Sequence, residues 1–121
     1  YINNVPEVVF ICWFGNQISP NRLQALKSLV NNINVSYILI TDDNVYSLEK
    51  KQSPFHKAFQ FLSGVHKSDY LRSYLLHNYC GGYHDVKYRN KNWNNQLSSF
   101  KNPNICIKSR PECSEGWIGY D

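Results

Sequence analysis

Residues 7–15 read Glu-Val-Val-Phe-Ile-Cys-Trp-Phe-Gly, a continuous apolar run between a glutamate and a glycine. Its length and its β-branched residues favour a strand that is buried on both faces. Such strands are typical of parallel sheets, because the helices that connect parallel strands cover both sides of the sheet. The run therefore predicts an α/β fold.

A helix and a second strand follow this run. Pro20 and Asn21 open a pattern of apolar residues spaced three and four apart, which is typical of an amphipathic helix. The pattern comprises Leu23, Leu26, Leu29 and Val30. Residues 35–41, Val-Ser-Tyr-Ile-Leu-Ile-Thr, then predict a second strand. Together they form a βαβ unit, so strands 7–14 and 35–41 should lie side by side and parallel, with a ligand cleft at their carboxyl ends.

The second half of the chain has a less regular pattern. Helical spacing begins at Lys57 and is interrupted at Gly64, and a stronger helix is predicted over residues 66–79. The pair Gly81-Gly82 should end that helix, because glycine adopts the left-handed conformation without steric cost. A short strand or extended loop is predicted over residues 83–88, and one more strand is possible over residues 104–108.

Composition restricts the class of protein. The chain of 121 residues has room for one domain, and 42% apolar with 15% aromatic residues is too rich for a disordered chain. The net charge of +4 suits an anionic ligand such as a nucleotide diphosphate, but it is too small to indicate nucleic acid by itself. The four cysteines lack metal-site spacing, and Cys12 and Cys80 are interpreted as small core residues. Reduced thiols, together with the lack of a signal peptide and of a transmembrane segment, predict a cytoplasmic protein.

Two segments carry candidate chemistry. In residues 66–72, His-Lys-Ser-Asp-Tyr-Leu-Arg, the spacing places Asp69 and Arg72 on one helix face. They form either a solvated ion pair or a site in which the carboxylate binds sugar hydroxyls and the guanidinium binds phosphate. Residues 81–87, Gly-Gly-Tyr-His-Asp-Val-Lys, follow after a helix of fixed length and place Asp85 at the end of a strand.

Together these segments resemble the glycosyltransferases whose sugar-binding region contains a DxD motif, glycosyltransferase family 32 and the related capsular polysaccharide synthesis proteins. The large glucosylating toxins of clostridia share the same core pattern. Residues 5–15 are similar to the opening strand of that family, and residues 37–44 to its second strand. The resemblance extends from Val5 to Lys87.

The resemblance implies a GT-A-type, Rossmann-like domain over residues 1–121 that forms the donor-binding part of a glycosyltransferase. Such an enzyme moves a hexose from a UDP- or GDP-linked donor to a saccharide or other hydroxyl acceptor, mostly with retention, in polysaccharide biosynthesis. Trp13 and Phe14 would contact the base and ribose, Asp69 and Arg72 the donor sugar and its phosphate, and Asp85 a metal ion. For Trp13, a core aromatic is the alternative interpretation.

Lys87 departs from the family pattern, which has a second acid at this position. Its ammonium group either contacts the diphosphate directly, or Asp85 alone still holds Mn²⁺ or Mg²⁺ through water and phosphate oxygens, or catalysis has been lost. The dependence on a divalent cation is therefore left open. If catalysis persists, Arg72 and Lys87 are the candidates that stabilise the leaving diphosphate.

Two other functions compete with this interpretation. A non-catalytic module that binds a sugar nucleotide or glycan would explain the loss of the second acid. Nucleic-acid binding would use the stretch 86–110, which has six Lys or Arg residues and no Asp or Glu, with Tyr88, Trp93 and Phe100 for stacking. Basic loops are more often simply solvated, so we expect no nucleic-acid partner.

Overall fold

The computed structural model describes residues 6–86, 101 and 102, and forms an α/β fold around a small parallel sheet. Its strands and helices are β1 (Val8–Cys12), α1 (Pro20–Asn32), β2 (Ser36–Ile40), α2 (Gly64–Asn78) and β3 (Gly82–Tyr83). The strand order is β2-β1-β3, and β1 runs parallel to both neighbours. The predicted parallel pairing of the first two strands is confirmed.

Strand β1 is the centre of the domain and is buried on both faces, as its apolar run predicted. Because successive side chains of a strand point to opposite faces, Val9 and Ile11 pack against α1 while Phe10 and Cys12 pack toward α2. All four side chains are at most 5% exposed. The result is three layers, with α1 on one side of the sheet and α2 on the other.

Helix α1 begins where the sequence placed it. Ser19 is the N-cap, and its hydroxyl accepts a hydrogen bond from the Arg22 backbone N–H at 3.2 Å. Pro20 occupies the first turn, where its missing N–H costs nothing. Ala25 and Leu29 are buried against the sheet. The predicted helix is therefore confirmed, whereas Leu23, part of the predicted apolar stripe, is 39% exposed.

Strand β2 forms one edge of the described sheet, and its exposure reflects that position. In the parallel pairing of β1 with β2, Val8 lies opposite Ser36 and Cys12 lies opposite Ile40. Ile40 is fully buried, whereas Tyr37 and Ile38 are 44% and 38% exposed. An edge strand has a neighbour on one side only, so its outer side chains stay in contact with water.

An aromatic layer joins the segment between β2 and α2 to the helix. The Phe55 and Phe59 ring centroids are 4.7 Å apart, and Phe55 lies 4.7 Å from the ring of Tyr74 in an edge-to-face arrangement. The Tyr74 hydroxyl donates to the Ser53 carbonyl at 2.6 Å, and the Tyr79 hydroxyl donates to a backbone carbonyl of the same segment. These bonds fix a segment that contains two 3₁₀ turns, Val45–Leu48 and Phe59–Phe61.

The helix expected from Lys57 up to the interruption at Gly64 is wrong. Phe59–Phe61 form only a 3₁₀ turn, and the long helix begins at Gly64, inside the predicted interruption. Ser63 explains why helix α2 begins at Gly64. Its side chain caps the helix by accepting a hydrogen bond from the His66 backbone N–H at 3.3 Å.

The carboxyl end of α2 differs from the expectation at one residue. The helix ends at Asn78, and the first left-handed residue is Cys80, with φ 62°, followed by Gly81 with φ 94°. Cys80 is exposed, so its interpretation as a core residue is wrong, whereas Cys12 is buried as predicted. Gly81 is required, because a Cβ there would lie 2.7 Å from the Val8 carbonyl oxygen.

Candidate functional site

The carboxyl ends of the three strands bring several polar residues to one edge of the sheet. Because the strands are parallel, the segments that follow them, Trp13–Gly15, Thr41–Asn44 and His84–Val86, leave the sheet at the same side. The first turn of α2 also reaches this edge, since a Cβ on Gly64 would lie 3.3 Å from the Phe14 Cβ. The edge therefore combines strand ends with the positive end of a helix.

Asp42 holds the loop after β1 in place. One carboxylate oxygen accepts a hydrogen bond from the Gly15 backbone N–H at 2.8 Å, and the other lies 3.9 Å from the Lys67 ammonium nitrogen. The same ammonium lies over the rings of Phe14 and Phe59, at 5.8 and 5.5 Å from their centroids. Neither Asp42 nor Lys67 was among the predicted site residues. Their contacts join the loops after β1 and β2 to helix α2, and the sequence gives no local signal for contacts between such distant segments.

The two predicted base-binding residues do not share a surface. Trp13 packs against the cluster on the α1 side, and its indole N–H donates to the Gln17 carbonyl at 3.3 Å. Phe14 packs against the cluster on the α2 side, under Lys67. Their contacts with the base and the ribose of a donor stay predictions.

Asp69 and Arg72 lie together on α2, as their spacing predicted. The guanidinium is 3.7 Å from the Asp69 carboxylate, and the side chains of Asp69 and Arg72 are 60% and 50% exposed. This geometry is that of an exposed intrahelical ion pair, which stabilises a helix by only about 0.3–0.5 kcal/mol. Both groups are accessible to a ligand, and their roles toward sugar and phosphate stay predictions.

Asp85 follows β3, and its backbone is held from two directions. The His84 N–H donates to the Phe10 carbonyl at 3.0 Å, which extends the pairing with β1. The Arg22 guanidinium, on α1, donates to the Val86 carbonyl at 3.0 Å. Val86 itself is buried in the cluster on the α1 side. No local spacing relates Arg22 to Val86 in the sequence, so this anchor was missed.

The side chain of Asp85 lies near Tyr83 and Cys12, at the ends of β3 and β1. Burial, reinforced by the neighbouring thiol and carboxylate, raises the pKa of Tyr83 well above its usual range. Burial likewise raises the pKa of Cys12 to about 12, although the neighbouring Tyr83 hydroxyl opposes the rise. Both groups are therefore neutral at physiological pH.

Asp85 is the residue predicted to bind a divalent cation, and this role stays a prediction. The described part of the chain contains no cluster of three or more His, Cys, Asp or Glu side chains that could hold a metal by themselves. Mg²⁺ is often held by one or two carboxylates together with substrate phosphates and water. One carboxylate at the strand end fits that mode, with the remaining ligands coming from a diphosphate and from water.

Several predicted residues lie outside the described part of the chain. They are Lys87, the stacking candidates Tyr88, Trp93 and Phe100, and the possible strand 104–108. A shallow concavity of 220 Å³ lies over the aromatic layer, between Tyr46 and Gln60. Trp13, Asp69 and Asp85 do not line it.

Comparison with known proteins leaves the family undecided. No family model matches the chain, and neither curated proteins nor solved structures give a significant match. Within the described residues, no helix has both the length and the apolar character needed to cross a membrane.

Proposed function

We propose that this chain is the donor-binding domain of a glycosyltransferase of the GT-A type. The observation that carries the proposal is the meeting of the two motif segments, which are remote in sequence. Helix α2, which carries the segment 66–72, packs against β3 in the segment 81–87, and the Tyr83 ring lies against the core cluster that α2 covers. The segment 81–87 continues past the carboxyl end of β3, and open parallel sheets bind their ligands at the carboxyl ends of their strands.

The proposed donor is a UDP- or GDP-linked hexose, and the acceptor is a saccharide or another hydroxyl compound. The Asp69 carboxylate, which is 60% exposed, accepts hydrogen bonds from the sugar hydroxyls. The Arg72 guanidinium on the same face of α2 binds a phosphate, for which its planar set of donors is well suited. Asp85 faces the diphosphate, and a divalent cation bound there would offset the negative charge that develops on it.

The transfer breaks the bond between the anomeric carbon and the diphosphate oxygen, and the electron pair leaves with the diphosphate. The acceptor oxygen forms the new bond to the anomeric carbon, and its proton passes to the departing diphosphate. Arg72 and Lys87 would stabilise the negative charge of the leaving group more strongly than that of the bound donor. Because the acceptor passes its proton to the departing diphosphate, it approaches the anomeric carbon from the side of the leaving group, and the configuration is retained.

Donor binding by the whole chain tests the proposal. Calorimetric titration with UDP-glucose and GDP-mannose, each with Mn²⁺ and with EDTA, should detect binding of at least one of them. Asp69→Ala and Arg72→Ala should each weaken that binding by about ten- to a hundredfold, since each removes a hydrogen bond to a charged group. Both side chains are exposed, so the melting temperature should change little.

Lys27→Ala is the matched control, because Lys27 is an exposed charged residue on α1, on the other side of the sheet. Its variant should bind the donor as the unchanged protein does. Binding that is equal in all four proteins would mean that the ion pair only stabilises the helix. Donor binding without any hexose transfer or donor hydrolysis would identify a non-catalytic sugar-nucleotide module.

Lys87 gives the proposal a second test. If its ammonium replaces part of the cation's role, binding of the same donor should depend only weakly on Mn²⁺. Lys87→Ala should weaken binding by about ten- to a hundredfold, and Lys87→Asp should weaken it in EDTA and recover part of it in Mn²⁺. Strict dependence on Mn²⁺ in the unchanged protein, with no effect of Lys87→Ala, would exclude this role.

A further inference from the structure

The turn after β2 provides a rigid base for Asp42. The Asn44 side chain closes this turn, because its amide oxygen accepts a hydrogen bond from the Thr41 N–H at 2.8 Å while its amide nitrogen donates to the Leu39 carbonyl at 2.9 Å. The Asn44 and Val45 N–H groups both donate to the Thr41 carbonyl. Such local bonds from an asparagine side chain fix the course of a turn. The backbone at Asp42 is therefore held before any ligand binds.

The loop after β1, residues 13–15, depends on that base. It leaves the sheet with the Trp13 N–H, which donates to the Ile40 carbonyl at 2.8 Å. Gly15 then turns the chain with φ 106°, and within the described part of the chain a Cβ there would meet no atom within 4 Å. Because packing does not fix this turn, the hydrogen bond from the Gly15 N–H to the Asp42 carboxylate, at 2.8 Å, ties it to the domain.

Lys67 joins the same turn to helix α2. Its ammonium nitrogen lies 3.9 Å from the second Asp42 oxygen and over the rings of Phe14 and Phe59. The Lys67 side chain is 18% exposed and the Asp42 side chain 48%, so the lysine is packed over the rings while the carboxylate stays open to solvent. The loop after β1 is thus held at Phe14 from the helix and at Gly15 from the turn after β2.

We propose that Asp42 is a positioning residue that, together with Lys67, holds the loop after β1 and its Phe14 ring in the conformation that receives the nucleotide of the donor. The inference rests on the proposed function and adds two residues to its site. Phe14 is predicted to contact the base or the ribose, and a loop that is already ordered loses less conformational entropy when its ligand binds. Asp42 acts through the Gly15 N–H and does not touch the donor.

Two substitutions at Asp42 separate positioning from direct contact. Asp42→Asn keeps an oxygen that accepts the Gly15 N–H but removes the charge, whereas Asp42→Ala removes both. Affinity for UDP-glucose, or for GDP-mannose if that probe binds more tightly, should fall about tenfold in the alanine variant, as expected when one more residue must be ordered on binding. The asparagine variant should bind within about twofold of the unchanged protein, because its amide oxygen retains the bond.

Hydrogen exchange provides a readout that needs no donor. The Gly15 amide should exchange several-fold faster in Asp42→Ala than in the unchanged protein, because its hydrogen bond is lost, and Asp42→Asn should keep the protection. Lys67→Met tests the helix side, since it keeps an apolar stem over the rings and removes the ammonium. Its donor affinity should fall several-fold, and an unchanged affinity would exclude Lys67 from the role.

Glu49→Ala is the matched control. The Glu49 carboxylate accepts a hydrogen bond from the Phe55 N–H at 2.7 Å, which is the same kind of bond in a segment that carries no predicted site residue. This variant should lose stability and keep the donor affinity of the unchanged protein. A fall in affinity as large as that of Asp42→Ala would mean that affinity follows stability, and the positioning role would be excluded.

The outcomes separate the two proposals. If the unchanged protein binds neither probe, the proposed function and this inference are both wrong. If it binds and Asp42→Ala binds equally well, the function stands and the positioning role is excluded. If Asp42→Asn loses as much affinity as Asp42→Ala while its Gly15 amide stays protected, the carboxylate contacts the donor directly and the inference is again wrong.

Discussion

The two faces of β1 are built from different chemistry. On the α1 face, Val9 and Ile11 meet Ala25, Leu29 and Ile33, a cluster of aliphatic side chains that are at most 5% exposed. On the α2 face, Phe10 and Cys12 meet an aromatic layer in which phenol hydroxyls donate to backbone carbonyls. One face of the same strand is purely apolar, and the other mixes apolar packing with hydrogen bonds.

On the α1 face, substitutions should therefore affect stability but not the proposed site. On the α2 face, they should affect both. An aliphatic cluster contributes through buried area and packing alone, so a substitution on α1 that leaves Trp13 and Val86 in place should change mainly the free energy of unfolding. A buried hydroxyl must find a partner, and the partner is thereby held in place. On the α2 face the partners lie in the segment between β2 and α2. The same face carries Tyr83, two residues before Asp85, so changes there should affect the proposed site as well.

The largest expected effect tests the aliphatic face. Leu29 is fully buried between α1 and the sheet, and Leu29→Ala should lower the free energy of unfolding by about 2–5 kcal/mol because it removes packing and leaves a cavity. Urea unfolding measures this loss. Donor affinity of the fraction that stays folded should be unchanged, since no predicted site residue belongs to helix α1. A fall in affinity together with stability would mean that both faces support the site.

An intermediate effect should appear on the α2 face at alkaline pH. Burial raises the pKa of Cys12 from 9.0 to about 12, so the folded state keeps a proton that the unfolded state loses. The stabilisation from this neutral thiol is complete below pH 9 and is lost as the pH rises from 9 toward 12. By pH 10 the loss amounts to about 1.4 kcal/mol from this one group.

Comparison of the unchanged protein with Cys12→Ala isolates the thiol from the tyrosines, which also titrate in this range. Chemical unfolding from pH 8 to 10.5 should give a stability that falls more steeply for the unchanged protein. The variant starts from a lower stability, because it loses a buried sulfur, but its slope with pH should be smaller. Equal slopes would show that Cys12 is accessible to water when folded.

Local patterns predicted the sheet and its helices but not the contacts that build the site. The apolar run through Phe10 and the helical pattern that opens at Pro20 each carry their signal within a few residues, and the structure agrees with them. The anchor from Arg22 to Val86 and the ion pair between Lys67 and Asp42 depend on how helices pack across the sheet. No local spacing encodes such contacts, which is why Asp42, Lys67 and Arg22 were missed.

The smallest expected effect concerns Cys80, where a local rule was applied to the wrong residue. Glycine was expected at the first left-handed position after α2, yet that position holds Cys80 with φ 62°, and Gly81 is the second. A side chain in this conformation costs about 1–2 kcal/mol, part of which is offset because glycine makes the unfolded chain more flexible. Cys80→Gly should therefore stabilise the domain by about 0.5–1 kcal/mol and raise its Tm by a few degrees. Cys80 is exposed, so no packing is lost, and donor affinity should not change.

Cys80→Ala is the matched control, because it removes the thiol but keeps the Cβ and the strain. If the alanine variant is stabilised as much as the glycine variant, the gain comes from removal of the thiol and the backbone at residue 80 is not strained.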